Sequence, residues 1–104
     1  MILTTTETIP GRDIDDVLGV AKGNVVRARF VGRDIVAGLR TLVGGEVDEY
    51  TKLMAESREQ ALDRMSAHAQ SLGADAVVNV RFSTAMIMQG SSEILAYGTA
   101  VRLK

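Results

Sequence analysis

The sequence predicts an α+β fold in which an antiparallel sheet packs in two layers against one long helix and one short helix. Residues 46–72 carry apolar side chains at helical spacing, with no glycine or proline among them. Segments rich in β-branched residues precede and follow this stretch. The resulting order β-β-α-α-β-β favours α+β over a parallel α/β arrangement. We expect one domain over residues 1–104.

The long helix is predicted from its apolar stripe and from its ends. Acidic residues, beginning with Glu46, occupy its first turn, and Gly73 follows its last turn. At about 1.5 Å per residue it is roughly 40 Å long, whereas a compact domain of this length has a radius of gyration of about 13 Å. Unless it is kinked or split, we expect it to extend beyond its own subunit, where a second copy would cover its stripe. The predicted stripe is Val47, Tyr50, Met54, Arg58, Ala61, Met65, Ala69 and Leu72.

Two strands are predicted before the helices. Residues 2–8 are rich in β-branched side chains and end at Ile9-Pro10-Gly11, which indicates a strand followed by a turn. Its expected partner is residues 17–30, where Gly19 and Gly23 mark a bulge, a bend or a tight turn. Alternation in this second strand predicts a half-buried strand. One face has Val26, Ala28 and Phe30, and the other has Arg27 and Arg29.

A short helix is predicted between the second strand and the long helix. Asp34 is suited to its N-cap, and apolar residues recur after it at helical spacing. Gly44-Gly45 has neither the lysine of a phosphate loop nor a GxGxxG pattern, so we interpret it as a hinge between two helices.

The carboxyl-terminal third predicts a long hairpin. Residues 74–82 alternate with Ala76, Val78, Val80 and Phe82 on one face, and the strand continues to Met88. Residues 89–92 form the turn, and residues 93–103 return. Each arm exceeds the usual strand of about 5 to 6 residues. We therefore expect the apolar tip to project and to be covered by a neighbouring subunit.

The composition restricts the classes of partner. Hydrophobic residues make up 46% and charged residues 24% of the chain, which is typical of a globular domain. The net charge is −1 with scattered basic residues, so we expect neither nucleic acid nor a membrane as partner. Cysteine is absent, which excludes disulfides and thiolate chemistry. No apolar run approaches the ~20 residues of a membrane span, and we expect a cytoplasmic homo-oligomer.

A set of short motifs resembles the YbjQ-like family, which carries a heavy-metal-binding description and is largely uncharacterised. The resemblance covers nearly the whole chain. It implies a dodecin-like two-layer subunit in a ring-shaped homo-oligomer, either a pentamer or a stack of pentamers. It supplies no metal-ligand motif. The motifs are Ile9-Pro10-Gly11, Leu18-Gly19, Val43-Gly44-Gly45-Glu46, Tyr50, the Arg58 to Ala61 step, Met65, Ala69 and Leu72-Gly73-Ala74-Asp75-Ala76-Val77-Val78.

Three residues are candidate metal ligands. His68 is the only histidine, so one chain cannot build an ordinary zinc site. A ring could bring several copies of His68 to its axis, although a packed interface histidine is the simpler interpretation. The spacing of Met86 and Met88 predicts two thioethers on the same face of one strand, where they could hold a cuprous ion with Met1 or a neighbouring subunit. The alternative is that both methionines are flexible apolar filler at an interface.

Two charged residues and one tyrosine are candidate structural or interface residues. Arg58 falls within the predicted apolar stripe, so its guanidinium needs a carboxylate from Asp75, Glu7 or another subunit. Otherwise its side chain reaches water or binds an anion in a ring cavity. Asp75 follows Gly73 at the start of a strand, where it either caps a turn or pairs with Arg58. Tyr50 on the stripe is the third candidate.

Three functions are compatible with these features. The first is a metal- or small-ligand-binding module at subunit junctions, with the ligand or cofactor unknown. The second is a scaffold ring that docks another protein. The third is an enzyme with an intersubunit site formed by Arg58, Asp75 and His68. No Ser-His-Asp set or paired carboxylates support catalysis, so we expect a protein that is not an enzyme.

Overall fold

A computed structural model describes residues 1–28 and 46–104, with side chains described for residues 1–27 and 51–104. The elements are β1 (Ile2–Leu3), β2 (Ile14–Ala28), α1 (Glu46–Ser71), β3 (Ala76–Met88) and β4 (Ser91–Leu103). The α+β class, the long helix and the terminal hairpin are confirmed. The predicted short helix, which begins at Asp34, lies outside the described residues.

The sheet is mixed, whereas the sequence predicted an antiparallel one. Its strand order is β1-β3-β4-β2. The strand β1 pairs in parallel with β3, and both other pairings are antiparallel. The predicted hairpin between the first two strands is therefore wrong.

The first strand is shorter than predicted, although backbone hydrogen bonds to the β3 segment continue beyond it at Thr4 and Thr6. Thr4 Oγ1 and Thr6 Oγ1 are 2.7 Å apart, and Thr6 Oγ1 donates to the carbonyl of Thr8 at 2.7 Å. The predicted turn is confirmed, since the N–H of Arg12 donates to the carbonyl of Ile9 at 3.1 Å and Gly11 has φ 83°.

The helix α1 packs on one face of the sheet and ends as predicted. Gly73 has φ 83°, and the N–H of Ala74 donates to the carbonyl of Ala69 at 3.1 Å, which satisfies a free carbonyl at the helix end. The buried stripe contains Ser57, while Arg58 is exposed. The prediction erred here because positions three and four residues after Met54 both lie near the same helix face.

Two apolar clusters lie on opposite faces of the sheet. The helix-side cluster joins α1 to β2, β3 and β4, and the smaller one lies beneath residues 9–14. Asn79 has φ 55° and marks a register irregularity in β3. Val80 therefore packs with the helix-side cluster, whereas Ala76 and Val78 belong to the other, so these residues do not share one face as predicted. A one-residue slip moves every following side chain to the opposite face.

The faces of β2 are also the reverse of those predicted. Val25 is 3% exposed and Val26 is 52% exposed, while Arg27 reaches the helix. A register shift between Val17 and Gly19 confirms the predicted irregularity at Gly19. Gly23 marks no bulge, because it pairs regularly with Ala96. Its place is instead directly beneath α1, where a Cβ would collide with the helix backbone.

The long hairpin gives the chain an elongated outline. Both β3 and β4 have 13 residues, and the principal extents are 54 × 23 × 16 Å. The radius of gyration is 17.2 Å, against about 13 Å expected for a compact domain of this length. Within residues 1–28 and 46–104, no helix is long and apolar enough to cross a membrane.

Candidate functional site

The outer half of β3, residues 81–88, is called the β3 arm. Every residue of this arm is exposed, and four of them are large and apolar. Strand β1 covers β3 only at Ala76 and Val77, and the remaining backbone bonds from the amino-terminal segment end at Val80. In the described part of the chain, the outer edge of the β3 arm has no strand beside it. The exposed apolar side chains are Phe82 (43%), Met86 (77%), Ile87 (53%) and Met88 (64%).

The two candidate thioethers lie at the end of this arm. Met86 lies opposite Ser92 and Met88 opposite Ser91, with a register irregularity between the pairs. Because the consecutive residues Ser91 and Ser92 point to opposite faces of the sheet, Met86 and Met88 do not share one face as predicted. Met1 lies beside the helix, where its sulfur is 3.7 Å from Ser66 Oγ. Met1 precedes the strand that pairs with Ala76, and ten residues of strand span roughly 33 Å. One chain therefore does not bring Met1 to Met86 and Met88.

The candidate ligand His68 instead closes the free edge of β2. Its Nδ1 accepts the backbone N–H of Lys22 at 3.1 Å. One turn earlier on α1, Arg64 Nη1 donates to the backbone carbonyl of Asn24 at 2.7 Å. Beside these contacts is an open cleft of about 470 Å³. The cleft is lined by Lys22, Asn24, His68, Glu93 and Leu95.

The hydrogen bond at His68 opposes a metal at this imidazole. A neutral imidazole that accepts at Nδ1 carries its proton on Nε2. A metal on Nε2 would move that proton to Nδ1, where it would face the N–H of Lys22. The described residues contain no group of three or more His, Asp or Glu side chains arranged to hold a metal ion. A metal ion bound to His68 would have to break the hydrogen bond from the Lys22 N–H. The metal role of His68 stays a prediction.

Replacing His68 with alanine is expected to expose the edge of β2. The Lys22 N–H loses its acceptor, at a cost of about 1 kcal/mol in the free energy of unfolding. Amide hydrogen exchange at Lys22 should become faster. The exposed neighbour Ala67 offers a control, because Ala67→Ser leaves the imidazole in place and should leave that exchange unchanged. Equal exchange at Lys22 in the His68 variant and the unaltered protein would contradict the edge contact.

The predicted structural residues are not brought together. Asp75 Oδ2 accepts the N–H of Leu103 at 2.8 Å, so this carboxylate fastens the start of β3 to the end of β4. Arg58 is exposed on the outer side of α1, and Glu7 is exposed in the amino-terminal segment. Tyr50 lies in α1, and its side chain is outside the description.

Arg27 on β2 also places its guanidinium between helix and sheet, a role that the sequence analysis missed. Arg27 Nε donates to Ser57 Oγ at 2.9 Å, and Arg27 Nη2 donates to Gln60 Oε1 at 2.8 Å. Ser57 is fully buried, and its hydroxyl donates in turn to the carbonyl of Leu53 at 2.8 Å. The sequence offered one signal for this contact, because Ser57 is a small polar residue four positions before Ala61 on the apolar stripe.

These features define a small two-layer α+β protein with an uncovered strand arm and no assembled catalytic group among its described residues. The family model described as "Putative heavy-metal-binding" matches residues 1–104, and the chain belongs to this YbjQ family.

Relatives and one solved structure agree with this membership. A UPF0145 protein from Archaeoglobus fulgidus is 58% identical over 100% of this chain and 96% of its own length. One from Methanoculleus marisnigri is 60% identical over 99% of this chain and 96% of its own. A crystal structure of a protein of unknown function from Pediococcus pentosaceus has a TM-score of 0.69 at 16% identity, covering 100% of this chain and 98% of that one. At that identity the likeness supports the fold alone.

Proposed function

We propose that this chain is one subunit of a homo-oligomer that binds a metal ion or another small ligand where its subunits meet. The single observation that carries the proposal is the amount of apolar surface left uncovered on the sheet. Large exposed patches of this kind mark interaction sites in soluble proteins. Besides the β3 arm, the second patch on β2 comprises Val17 (61%), Val20 (62%) and Val26 (52%).

A ring of five subunits, or a stack of such rings, is the assembly we propose. A subunit with two separate self-contacts can close a ring through a head-to-tail contact and pair two rings through a symmetric one. The valines of β2 and the β3 arm lie towards opposite edges of the sheet. The subunit therefore has two separate apolar patches. The resemblance to the YbjQ-like family, which implies a ring of dodecin-like subunits, supports the same arrangement. The absence of cysteine supports a cytoplasmic location, since small exported domains commonly depend on disulfides.

The ligand we propose is a soft monovalent metal ion such as Cu(I) or Ag(I). Thioether sulfur is a soft donor that suits these ions, and the chain has no thiolate to compete with it. Met86 and Met88 offer two exposed thioethers on each arm. The two sulfurs of one chain lie on opposite faces of the arm, so each site would have to be completed by sulfurs from arms that meet in the assembly. The description of the family agrees with this class of ligand.

The double change Met86→Ala, Met88→Ala is expected to abolish stoichiometric silver binding. Native mass spectrometry of the assembly with added Ag(I) would report subunit number and bound mass together. Ile87→Ala is the matched control, because it removes an exposed apolar side chain of the same arm without removing sulfur. Equal silver binding by the double variant and the unaltered protein would contradict the thioether site. An assembly that binds no metal and captures one specific protein would favour the scaffold function.

A further inference from the structure

We propose that the outer edge of β3 pairs antiparallel with the same edge of a second copy, about a two-fold axis at Thr84. The inference rests on the stacked form of the proposed homo-oligomer and assigns the symmetric contact between two rings. In this pairing Phe82 of each copy lies opposite Met86 of the other, and the two Thr84 residues lie opposite each other. It joins two sheets into one continuous sheet.

The direction of the backbone groups in β3 follows from the contacts of β2. The N–H of Lys22 and the carbonyl of Asn24 bond to helix side chains, so the even-numbered residues of this part of β2 point away from β4. Backbone groups alternate between the two sides of an antiparallel strand. The intervening odd-numbered residues of β2, such as Gly23, therefore bond to the even-numbered residues of β4, such as Ala96.

The same alternation continues through β4 into β3. The odd-numbered residues of β4 then face β3, where Leu95 lies opposite Ser83. The even-numbered residues of the β3 arm must point outward. The N–H of Val80 agrees, because it donates outward to the carbonyl of Thr4 at 3.0 Å. Phe82, Thr84 and Met86 thus present N–H and carbonyl groups at the free edge, symmetrically about Thr84.

The opposite edge of the sheet is closed at its centre. Arg64 and His68 already occupy the outward groups of Asn24 and Lys22. A strand added across this part of β2 would have to displace both side chains. Gly23 also lies directly under the helix backbone. Among the described strands, the β3 arm therefore offers the longer accessible edge.

The sequence of the β3 arm suits pairing with itself. Residues 82–88 contain no charged side chain, proline or glycine, although natural edge strands commonly use charges or proline to prevent such pairing. Pairing about Thr84 brings no like charges together and forms roughly six backbone hydrogen bonds across three residue pairs. It also covers Phe82 and Met86, which are 43% and 77% exposed.

A unique cysteine tests the register directly. The chain has no cysteine, so Thr84→Cys introduces one per subunit. Directly opposed residues of a hydrogen-bonded antiparallel pair have Cα atoms about 5.5 Å apart, within the range of about 4.4–6.8 Å that a disulfide spans. Mild oxidation is expected to give a covalent dimer on a non-reducing gel. Failure of this variant to cross-link while it remains assembled would overturn the inference.

Ile87→Cys is the matched control for that experiment. It lies on the same exposed arm, yet in the proposed register its two copies are roughly 20 Å apart along the strands. It is expected to stay a monomer on the same gel. Cross-linking of the Ile87 variant as efficient as that of the Thr84 variant would overturn the register.

Thr84→Pro tests the same contact without a cross-link. Its N–H points outward, so proline removes an edge donor without removing a bond to β4. Native mass spectrometry is expected to show half the subunit number of the unaltered protein, while Thr84→Ala keeps that number. An unchanged subunit number in the proline variant would overturn the β3 pairing, and so would an odd subunit number in the unaltered protein. Neither result would contradict the proposed homo-oligomer. A monomeric unaltered protein would overturn both proposals.

Discussion

Replacing Gly23 with alanine is expected to lower the free energy of unfolding by about 3 kcal/mol, the upper part of the range for overpacked cores. A Cβ at this position would collide with the backbone N of Met65 and the backbone O of Ala61, and would lie 2.7 Å from the backbone C of Arg64. Backbone atoms cannot move aside by changing rotamer. The helix would therefore have to lift away from β2, which loosens the cluster beneath it.

The sign of this effect separates packing from local propensity. Glycine in the interior of a strand is less favourable than alanine by roughly 0.5–1 kcal/mol, so propensity alone predicts that the substitution stabilises the protein. Urea unfolding at one protomer concentration would measure the change. Lys22→Ala on the neighbouring exposed residue is the control, with an expected change within about 0.5 kcal/mol. A stabilised Gly23 variant would contradict the close approach of α1 to β2.

The elements that the sequence predicted well are those that local periodicity defines. Helix α1 spans Glu46–Ser71, because its apolar repeat and Gly73 specify both its axis and its end within a single segment. The β3–β4 hairpin has the same property, since Gly90 with φ 80° closes the turn between two adjacent strands. Such features require no contact that is distant in the sequence.

The faces of β3 could not be predicted because register irregularities between Val78 and Arg81 and between Met86 and Met88 shift its alternation. Asn79 coincides with the first of them, and one shifted residue exchanges the buried and exposed sets. Glycine was a recognisable signal for the register shift at Gly19 in β2. Asn79 was not, because asparagine adopts positive φ only occasionally. The parallel pairing of β1 with β3 depends on contacts more than seventy residues apart, such as Ile2 with Ala76.

The candidate site shows the same division. The exposed methionines of the hairpin arm were predicted because strand length and composition are local. The contact of His68 with Lys22 and that of Ser57 with Arg27 join the helix to a strand far away in the chain. Their residue types do not specify a partner, so only the folded arrangement could assign them. Arg58 was predicted to lie on the buried stripe because helical spacing from Met54 fits both position 57 and position 58. The structure buries Ser57 and exposes Arg58.

Replacing Met65 with alanine is expected to cost about 3 kcal/mol in the free energy of unfolding, within the range of about 2–5 kcal/mol for buried large-to-small changes. Met65 is fully buried and is among the largest side chains that are so. Its neighbours along the stripe, Ala61 and Ala69, are also fully buried. Alanine has no further atoms to move into the space, so a cavity would remain rather than collapse.

The urea midpoint should fall in the Met65→Ala variant while the slope of the transition stays unchanged, because the surface exposed on unfolding hardly differs. Met65→Leu is the control. Leucine has nearly the same volume as methionine and differs in its branching. The expected loss in the free energy of unfolding is therefore below about 1.5 kcal/mol. If leucine destabilised the protein as much as alanine does, volume would not be the property that matters at this position. The small residues on both sides of Met65 let the helix approach Gly23 closely, and that approach makes one flexible side chain the filler of the remaining space.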